Sequence, residues 1–527
     1  MRRLALPGAV VLALALVFTI AWGIRQGPGP VTVPDGQAAS VTSITRSCPP
    51  AAPGSAAAQI SMIAVPAQSA TGNANTGNSN TGISNTGNSK TGNSASSNSK
   101  TGSSAAAKPG ATPTGSATFS PVLAAPSAGQ ASSAAGTSAT GHPFTVSTPG
   151  AVTTVGAAAG GGTAVSATGQ MAEGFEAEQA DASGTGLVSC THPGSDMWFV
   201  GTGQAAGATA VWLYLMNTGN LTASADVTVL TDTGEQNGLN SAITVAPKQS
   251  VSVNVTKYVQ GSLALALHVQ TNTGQVAASV WESGTGGGAW LPQANTPARS
   301  LVIPGLTVAS SAAKLFVVVP GSTDAQLKVV AYTPSGAVAQ FPGTPVDASA
   351  GAATPFALNS LGASAAGLKL TSDEPVVASV LVPGAGIGSF TTAVPPITEQ
   401  GVVAGNPSAR GVTVGLLLTA PAAAARASIS VIGADGTVTP STGDKPVTVA
   451  AGHTLAVAVT RPSAGSRQPF AIVITPQAGS GPVYAVRVVT SGTGGLSAPL
   501  SSLLPVSSAM TSITLPAAQN SYTAVLP

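Results

Sequence analysis

A cysteine, a histidine, an aspartate and a tryptophan fall within nine positions of the stretch LVSCTHPGSDMWFVG, residues 187–201. Cys190 beside His192 raises the question of a thiolate nucleophile with a base. Such a nucleophile needs a base at hydrogen-bond distance and a third group that orients the base. Neighbours in one extended loop rarely give this geometry, because catalytic partners usually come from separate elements. We therefore expect no catalytic residue here and no enzyme.

A metal site is the second chemistry that these residue types suggest. A zinc site needs four protein ligands, or three ligands and a water molecule. The chain has only two cysteines and four histidines, and the histidines show no paired spacing. We therefore expect neither a metal ion nor another cofactor.

The amino terminus carries the signal for the compartment. Two arginines precede an apolar run at residues 4–24, and a third arginine follows it. A run of this length is sufficient to cross a bilayer as a helix, and the cationic flank predicts that the amino end stays inside. Residues 21–23 are a poor cleavage site. We therefore expect an uncleaved signal anchor and a single-pass cell-membrane protein with its bulk outside the cytoplasm; secretion after cleavage is the alternative.

The two cysteines favour a structural role in such a compartment. Outside the cytoplasm, an even number of cysteines indicates a disulfide before any other function. A Cys48–Cys190 disulfide would hold the apolar segment 59–67 against the domain. In the chain-entropy model a loop of this length contributes about 4–5 kcal/mol. We predict this intramolecular disulfide; two free thiols or a linked dimer would contradict it.

Charge limits the classes of function. Only 7% of the 527 residues are charged and the net charge is +2, so no basic surface for nucleic acid is expected. Four of the 17 acidic residues lie close together, at Glu173, Glu176, Glu178 and Asp181. Two carboxylates across a cleft would support glycoside hydrolysis. Because no cleft is evident in the sequence, we expect a solvated face.

A polar tract at residues 68–141 separates two parts of the chain. It contains a five-residue repeat of the type TGNSN in which only Ile83 is a large apolar residue. Such a tract cannot bury a core, so we expect a disordered low-complexity linker or insertion.

The remainder of the chain alternates apolar and small polar residues, which is typical of half-buried antiparallel strands. A pattern of about 100 residues occurs three times, with turn glycines at Gly234, Gly336 and Gly436. About seven strands in 100 residues is the size of an immunoglobulin-like β-sandwich.

The sequence thus predicts an all-β fold of tandem immunoglobulin-like β-sandwich units after a transmembrane signal anchor and a disordered insertion. The predicted boundaries are 1–26 for the anchor, 27–67 for an N-terminal strand segment of the first β domain, 68–141 for the insertion, and 142–298, 299–398 and 399–527 for three β-sandwiches.

Aromatic residues are the remaining candidates for recognition. Trp198 and Phe199 are adjacent, and neighbours on a strand face opposite ways, so we expect one ring in the core, and the other is a candidate for an exposed stacking surface. Trp281 and Trp290 are further candidates, because aromatic faces bind sugars. Core packing explains these residues as well.

A family resemblance rests on ATGQMAEGFEAEQ (167–179) and on GLVSCTHPGSDMWFVG (186–201). The chain resembles an actinobacterial family of membrane-anchored or secreted envelope proteins, classed as a domain of unknown function. The Cys-x-x-Pro…Trp-Phe-x-Gly pattern is the most specific part of this resemblance. The resemblance covers roughly 41–67 and 165–527 and implies an envelope role.

We therefore expect a non-catalytic scaffold or interaction protein of the bacterial cell envelope. Its expected partners are the membrane, through the N-terminal helix, and envelope glycan or envelope proteins. A glycan-binding module that acts with envelope polysaccharide machinery is the alternative, and a secreted hydrolase is third.

Overall fold

The computed structural model describes residues 37–515, except for 56, 67–114, 126–142, 159, 183–185, 238, 240–241, 308–312, 343–344, 360–364, 385, 444, 463–467 and 498. These described residues form 36 strands and a few single-turn 3₁₀ helices, with no α-helix among them. The predicted all-β class is confirmed.

The predicted membrane location is corrected by the structure. Within residues 37–515, as far as they are described, no helix has the length and apolar character needed to cross a membrane. This finding contradicts the predicted single-pass location. The apolar run 4–24 on which that prediction depended lies outside the described residues.

The strands follow one another along the whole described chain. The first nine are β1 (Gln37–Ser40), β2 (Ser43–Cys48), β3 (Ala58–Ala64), β4 (Ala117–Ala124), β5 (Phe144–Val146), β6 (Thr153–Gly156), β7 (Gly162–Thr168), β8 (Phe175–Asp181) and β9 (Leu187–Ser189). The next nine are β10 (Asp196–Thr202), β11 (Ala208–Met216), β12 (Ala223–Thr231), β13 (Gly234–Gln236), β14 (Ile243–Val245), β15 (Gln249–Asn254), β16 (Ala264–Thr273), β17 (Ala277–Gly284) and β18 (Gly287–Leu291).

A second group of eight strands comprises β19 (Ala298–Leu306), β20 (Lys314–Val319), β21 (Ala325–Thr333), β22 (Gly336–Ala339), β23 (Val346–Ala348), β24 (Ala352–Ala357), β25 (Ala366–Val382) and β26 (Ser389–Thr392). The last ten are β27 (Gly401–Asn406), β28 (Val412–Ala420), β29 (Ala425–Ile432), β30 (Val438–Pro440), β31 (Val447–Val449), β32 (His453–Ala458), β33 (Phe470–Pro476), β34 (Tyr484–Ser491), β35 (Leu500–Val506) and β36 (Ser512–Leu515).

The chain divides into two compact units. The smaller unit comprises residues 1–40 and 512–527, and its described part is the antiparallel pair β1–β36. The larger unit, Val41–Thr511, holds strands β2 to β35.

Three consecutive groups of strands repeat one pairing pattern, and we call them the first (β10–β18), second (β19–β26) and third (β27–β35) repeats. In one sheet, β12, β21 and β29 each pair with a long strand, a hairpin strand and a short strand. In the other sheet, β11, β20 and β28 each pair with two strands in equivalent positions. In the second repeat, the single strand β25 takes the place of two strands in each of the others.

The turn glycines of the three repeats occupy equivalent hairpins. Gly234, Gly336 and Gly436 have φ values of 101°, 116° and 79°, in the left-handed region that favours glycine. They follow β12, β21 and β29 at the turn into β13, β22 and β30. The spacing of about 100 residues that the sequence shows therefore corresponds to a repeated hairpin.

The repeat cores follow from the alternation of the strands. In β12, Ala225, Val227 and Val229 are buried, whereas Asp226 between them is exposed, because successive side chains point to opposite faces. The buried faces of both sheets in the first repeat join in one hydrophobic cluster, which also includes Phe316 of the second repeat. The first two repeats therefore share apolar packing.

The strands before the first repeat form sheets of their own. Strands β6, β3, β8 and β9 form one sheet, and β5, β4, β7 and β2 form the edge of another. The second sheet continues into the first repeat through the parallel pair β4–β15. The repeated pairing thus begins at β10, whereas the predicted first sandwich begins at residue 142.

One strand lies inside the predicted linker 68–141. Strand β4 (Ala117–Ala124) pairs with β7, and its Phe119 and Val122 side chains are buried. The expectation of a linker throughout is corrected here, because the short apolar pattern ATFSPV is flanked by Ala, Gly and Ser that obscure it in the sequence. The Thr-Gly-Asn repeat itself lies outside the described residues.

Candidate functional site

The Cys190 stretch contains a disulfide. The structure joins Cys48, at the end of β2, to Cys190, just after β9, with 142 positions between them and a Cα–Cα distance of 4.2 Å. The backbones of Ser47 and Thr191 exchange two hydrogen bonds of 2.7 and 3.0 Å beside it. Both sulfurs are buried in an apolar cluster with Ile60. The disulfide therefore links the two N-terminal sheets, as the cysteine count predicts.

The other polar residues of this stretch do not join Cys190. Asp196 Oδ1 lies 2.9 Å from His268 Nε2 on the neighbouring strand β16. His192 lies beside Arg46, and both burial and the Arg46 charge lower the pKa of His192, so the imidazole is neutral at pH 7. The structure thus separates the three groups that are neighbours in sequence.

Both adjacent aromatic residues are buried, so neither ring forms an exposed stacking surface. Trp198 is 3% exposed and Phe199 is 0% exposed. The Trp198 ring stacks against His268 with a centroid distance of 3.8 Å, while Ala294 pairs with the Trp198 backbone. Trp198 therefore presents no open ring to solvent, because its strand is covered on both faces.

A cavity of about 460 Å³ lies against Cys190. We call it the junction cavity: its walls come from β2, β8 and β9 of the N-terminal sheets, from β10, β17 and β18 of the first repeat, and from β27 and β35 of the third. Its volume falls within the range of about 300–1,000 Å³ of small-molecule sites. The junction cavity is thus built from segments that lie far apart in sequence.

Two buried ion pairs support one wall of the junction cavity. Arg46 Nη2 lies 2.5 Å from Glu176 Oε1, with both side chains largely buried. Arg487 Nη1 lies 2.9 Å from Glu178 Oε2, and these side chains are 0% and 4% exposed. Of the four acidic residues expected on a solvated face, Glu176 and Glu178 are therefore buried, because each pairs with an arginine from a distant strand.

Glu178 is also a backbone acceptor. The amides of Ala404 and Gly405 each donate to its carboxylate at 3.2 Å, and Arg487 Nη1 donates to the Gly405 carbonyl at 3.1 Å. The carboxylate thus accepts three hydrogen bonds and links β8 to β27 and β34. A carboxylate held in this way has little capacity left for a reactant.

Glu176 is the less constrained of the two carboxylates. Burial raises the pKa of Glu176, whereas the charge and hydrogen bond of Arg46 oppose this rise. Desolvation is the larger effect. Glu176 is therefore a buried acid held by one arginine.

Two polar atoms at the junction cavity lack partners among the described residues. The Ser279 hydroxyl and the Arg46 Nε are buried without a hydrogen bond, and both residues border the cavity. A buried polar group without a partner costs about 1–3 kcal/mol. Both atoms are covered by neighbouring protein atoms, so these two side chains provide hydrogen-bond partners for a ligand only after they turn toward the cavity.

Of the candidate tryptophans, Trp290 lines the junction cavity. Trp290 contacts Trp281 edge to face at a centroid distance of 5.1 Å and lies 5.9 Å from the Tyr214 ring. Trp290 is 8% exposed and borders both the junction cavity and a second cavity of about 170 Å³, which Trp281 also lines. Trp281 and Trp290 thus lie at the cavities, and a role in recognition stays a prediction.

Metal ligands do not cluster in the described parts of the chain. No group of three or more His, Cys, Asp or Glu side chains there is placed to hold a metal ion.

Comparisons with known proteins give a family but no activity. None of the curated proteins matches the chain. A solved structure of Streptomyces avermitilis α-L-rhamnosidase complexed with L-rhamnose is 10% identical, with a TM-score of 0.11, and the match covers 60% of this chain and 49% of that one. The chain thus spans about half the length of that structure, and at this TM-score the likeness carries no argument. A family model matches residues 144–460. The chain belongs to the family of unknown function DUF5719.

Proposed function

We propose that this protein is a non-catalytic interaction protein that recognises a small ligand, or one unit of a larger ligand, in the junction cavity. The observation that carries this proposal is the cavity of about 460 Å³ whose wall contains the unpartnered Ser279 hydroxyl and Arg46 Nε. Because small-molecule sites combine a mostly apolar lining with a few placed polar groups, this cavity has the composition of a binding site.

A disulfide and a buried ion pair beside the junction cavity support a preformed site. The Cys48–Cys190 disulfide lies at one side of it, and the Glu178–Arg487 pair joins its N-terminal wall to the third repeat. A cavity held by such contacts does not collapse when it is empty, so a ligand binds with little ordering cost.

A glycoside hydrolase is the second candidate, because Glu176 and Glu178 both border the junction cavity. The geometry argues against it. Hydrolases place two carboxyl groups on either side of the scissile bond, whereas these two residues lie on one face of strand β8, about 7 Å apart along it. Glu178 is in addition fully engaged by three donors.

We further propose that each repeat is an immunoglobulin-like sandwich. The equivalent pairings of β12, β21 and β29, and of β11, β20 and β28, support this reading. The actinobacterial origin and the envelope role implied by the resemblance stay predictions.

A mouth-blocking variant tests the binding function. Ser507 is exposed and borders the junction cavity, so Ser507→Trp narrows its opening. Ser322→Trp is the matched control, since Ser322 is exposed in a turn away from both cavities.

The probes are a panel of neutral and charged monosaccharides, amino acids and short-chain fatty acids, screened by saturation-transfer NMR. We expect at least one class to bind the parent chain and the Ser322→Trp control but not Ser507→Trp. Binding by no class, or binding that Ser507→Trp leaves unchanged, would contradict the proposal. Turnover of nitrophenyl glycosides that is lost in Glu176→Gln would favour the hydrolase instead.

A further inference from the structure

We propose that the junction cavity takes a neutral, hydroxylated ring, as in one sugar unit of a glycan. This inference rests on the proposed binding function and names its ligand class. Three features of the junction cavity carry it: the pairing of its charges, its unpartnered polar atoms and its apolar surface.

The charged groups at the junction cavity are paired with one another. Its charged lining residues, as far as the chain is described, are Arg46, Glu176 and Glu178. Arg46 pairs with Glu176, and Glu178 pairs with Arg487 behind the wall. An anionic ligand would approach two carboxylates, and a cationic ligand would find both already occupied. Since burial of an unpaired charge is costly, the cavity favours a neutral ligand.

The unpartnered atoms of the wall require a ligand that accepts hydrogen bonds, and the amides beside them also allow it to donate. The Ser279 hydroxyl can do either, whereas Arg46 Nε can only donate. The side chains of Gln293 and Asn295 also border the junction cavity and add amide donors and acceptors. A purely apolar ligand would leave the two buried atoms without partners. A sugar hydroxyl donates and accepts at once, so several adjacent hydroxyls satisfy such a mixed set.

Part of the remaining surface is apolar and includes an aromatic residue. Trp290, Leu291 and Pro292 follow one another along the wall. A sugar ring has a C–H face that packs on such a surface while its hydroxyl edge reaches polar groups. Trp290 also borders the second cavity, so one aromatic residue lines two cavities. The paired charges of the wall disfavour a charged peptide terminus, and its polar atoms disfavour a purely apolar lipid. A neutral sugar fits both these polar groups and the apolar segment 290–292.

The test compares ligands that differ only in charge. Glucose, galactose, mannose and arabinose are titrated into the full chain by calorimetry, together with the uronic acid and the amino sugar of each hexose configuration. We expect at least one neutral sugar to bind and its two charged analogues to bind at least tenfold more weakly. Charged analogues that bind as tightly as the neutral sugar would overturn the proposal.

A pair of hydroxyl deletions tests the position of the ligand. Ser279→Ala removes the unpartnered hydroxyl of the junction cavity and is expected to weaken binding about fivefold. Thr391→Val is the matched control, because the Thr391 hydroxyl is also buried and unpartnered among the described residues but borders neither cavity. Equal effects of the two variants on sugar affinity would overturn the proposed site.

The two proposals fail in different ways. If amino acids or fatty acids bind in a manner that Ser507→Trp blocks, and no neutral sugar does, the binding function stands and the sugar inference is wrong. If no probe binds, both are wrong. If sugars bind equally well to Ser507→Trp, the sugar site lies elsewhere and the inference is again wrong.

Discussion

Glu282 is a buried acid in the first repeat with no counter-charge among the described residues, and its replacement by glutamine should make the protein more stable at neutral and alkaline pH. Glu282 lies on β17 and is 0% exposed. Its carboxyl group accepts hydrogen bonds from the Thr202 amide, at 3.0 Å, and from the Thr202 hydroxyl. No described lysine, arginine or histidine forms an ion pair with it. Burial therefore raises the pKa of Glu282 to about 8, although Thr202 opposes the rise.

The sign of the pH effect follows from this rise. Between the usual value of 4.5 and about 8, the folded chain keeps a proton that the unfolded chain has lost. The stability that Glu282 contributes is therefore complete below pH 4.5 and is lost as the pH rises to 8. At about 1.4 kcal/mol per pH unit, the loss is about 3 kcal/mol at pH 7 and about 5 kcal/mol above pH 8.

Glu282→Gln keeps a carbonyl acceptor for Thr202 and carries no charge, so it removes this loss. We expect the variant and the parent to have similar free energies of unfolding at pH 4.5, and the variant to be more stable by about 3 kcal/mol at pH 7. Urea denaturation followed by tryptophan fluorescence measures the first repeat, because it holds four of the five tryptophans: Trp198, Trp212, Trp281 and Trp290.

Glu235→Gln is the control, since Glu235 is exposed on β13 of the same repeat. It should change the unfolding free energy little at any pH. A difference between Glu282→Gln and the parent that stays constant from pH 4.5 to 8.5 would refute the reasoning. So would a variant that is less stable than the parent throughout this range.

Three further changes have predictable effects on stability. Glu178→Gln should lower the free energy of unfolding, measured by urea denaturation, by about 3–5 kcal/mol, because it leaves the Arg487 charge buried without its partner. Combining it with Arg487→Met should recover part of this loss. Losses that simply add in the double variant would contradict the reasoning. Replacement of Cys48 and Cys190 by serine should lower the free energy of unfolding by about 4–5 kcal/mol; an unchanged denaturation midpoint would contradict the disulfide. Gly234→Ala should cost about 1–2 kcal/mol, because its φ of 101° is unfavourable for a side chain, whereas a neutral effect by thermal melting would contradict the strained turn.

The repeated part of the fold was predictable from the sequence because its signals are local. Alternation along single strands, as at Val227 and Val229, and a turn glycine at a fixed distance are visible without knowledge of the partner strands. Strand β4 was not predictable from the same signals. Its few apolar residues are surrounded by a tract whose composition indicates a linker, and only the pairing with β7 makes the strand stable.

The candidate site was predictable only in part. The disulfide followed from a count, because two cysteines allow one intramolecular pairing. The junction cavity could not be inferred, since its lining runs from Ile44 to Met510. The burial of Glu176 and Glu178 also escaped prediction, because their arginine partners are 130 and 309 positions away in the chain. The local sequence indicates whether a strand residue favours contact with water. It does not show whether an arginine from another sheet will pair with that residue and allow it to be buried.

The ion pair between Glu178 and Arg487 has a consequence for the order in which parts of the chain fold during synthesis. A ribosome delivers the chain from its amino end at about 5–20 residues per second, so Glu178 emerges well before Arg487. At this rate, the 309 residues between them take roughly 15–60 s to make. During that interval the Glu178 carboxylate of the nascent N-terminal sheets has no Arg487 to pair with, so its burial carries a desolvation cost that the third repeat later offsets. The last strands made therefore complete the first ones, and a chain interrupted before Arg487 leaves its amino-terminal part unfinished.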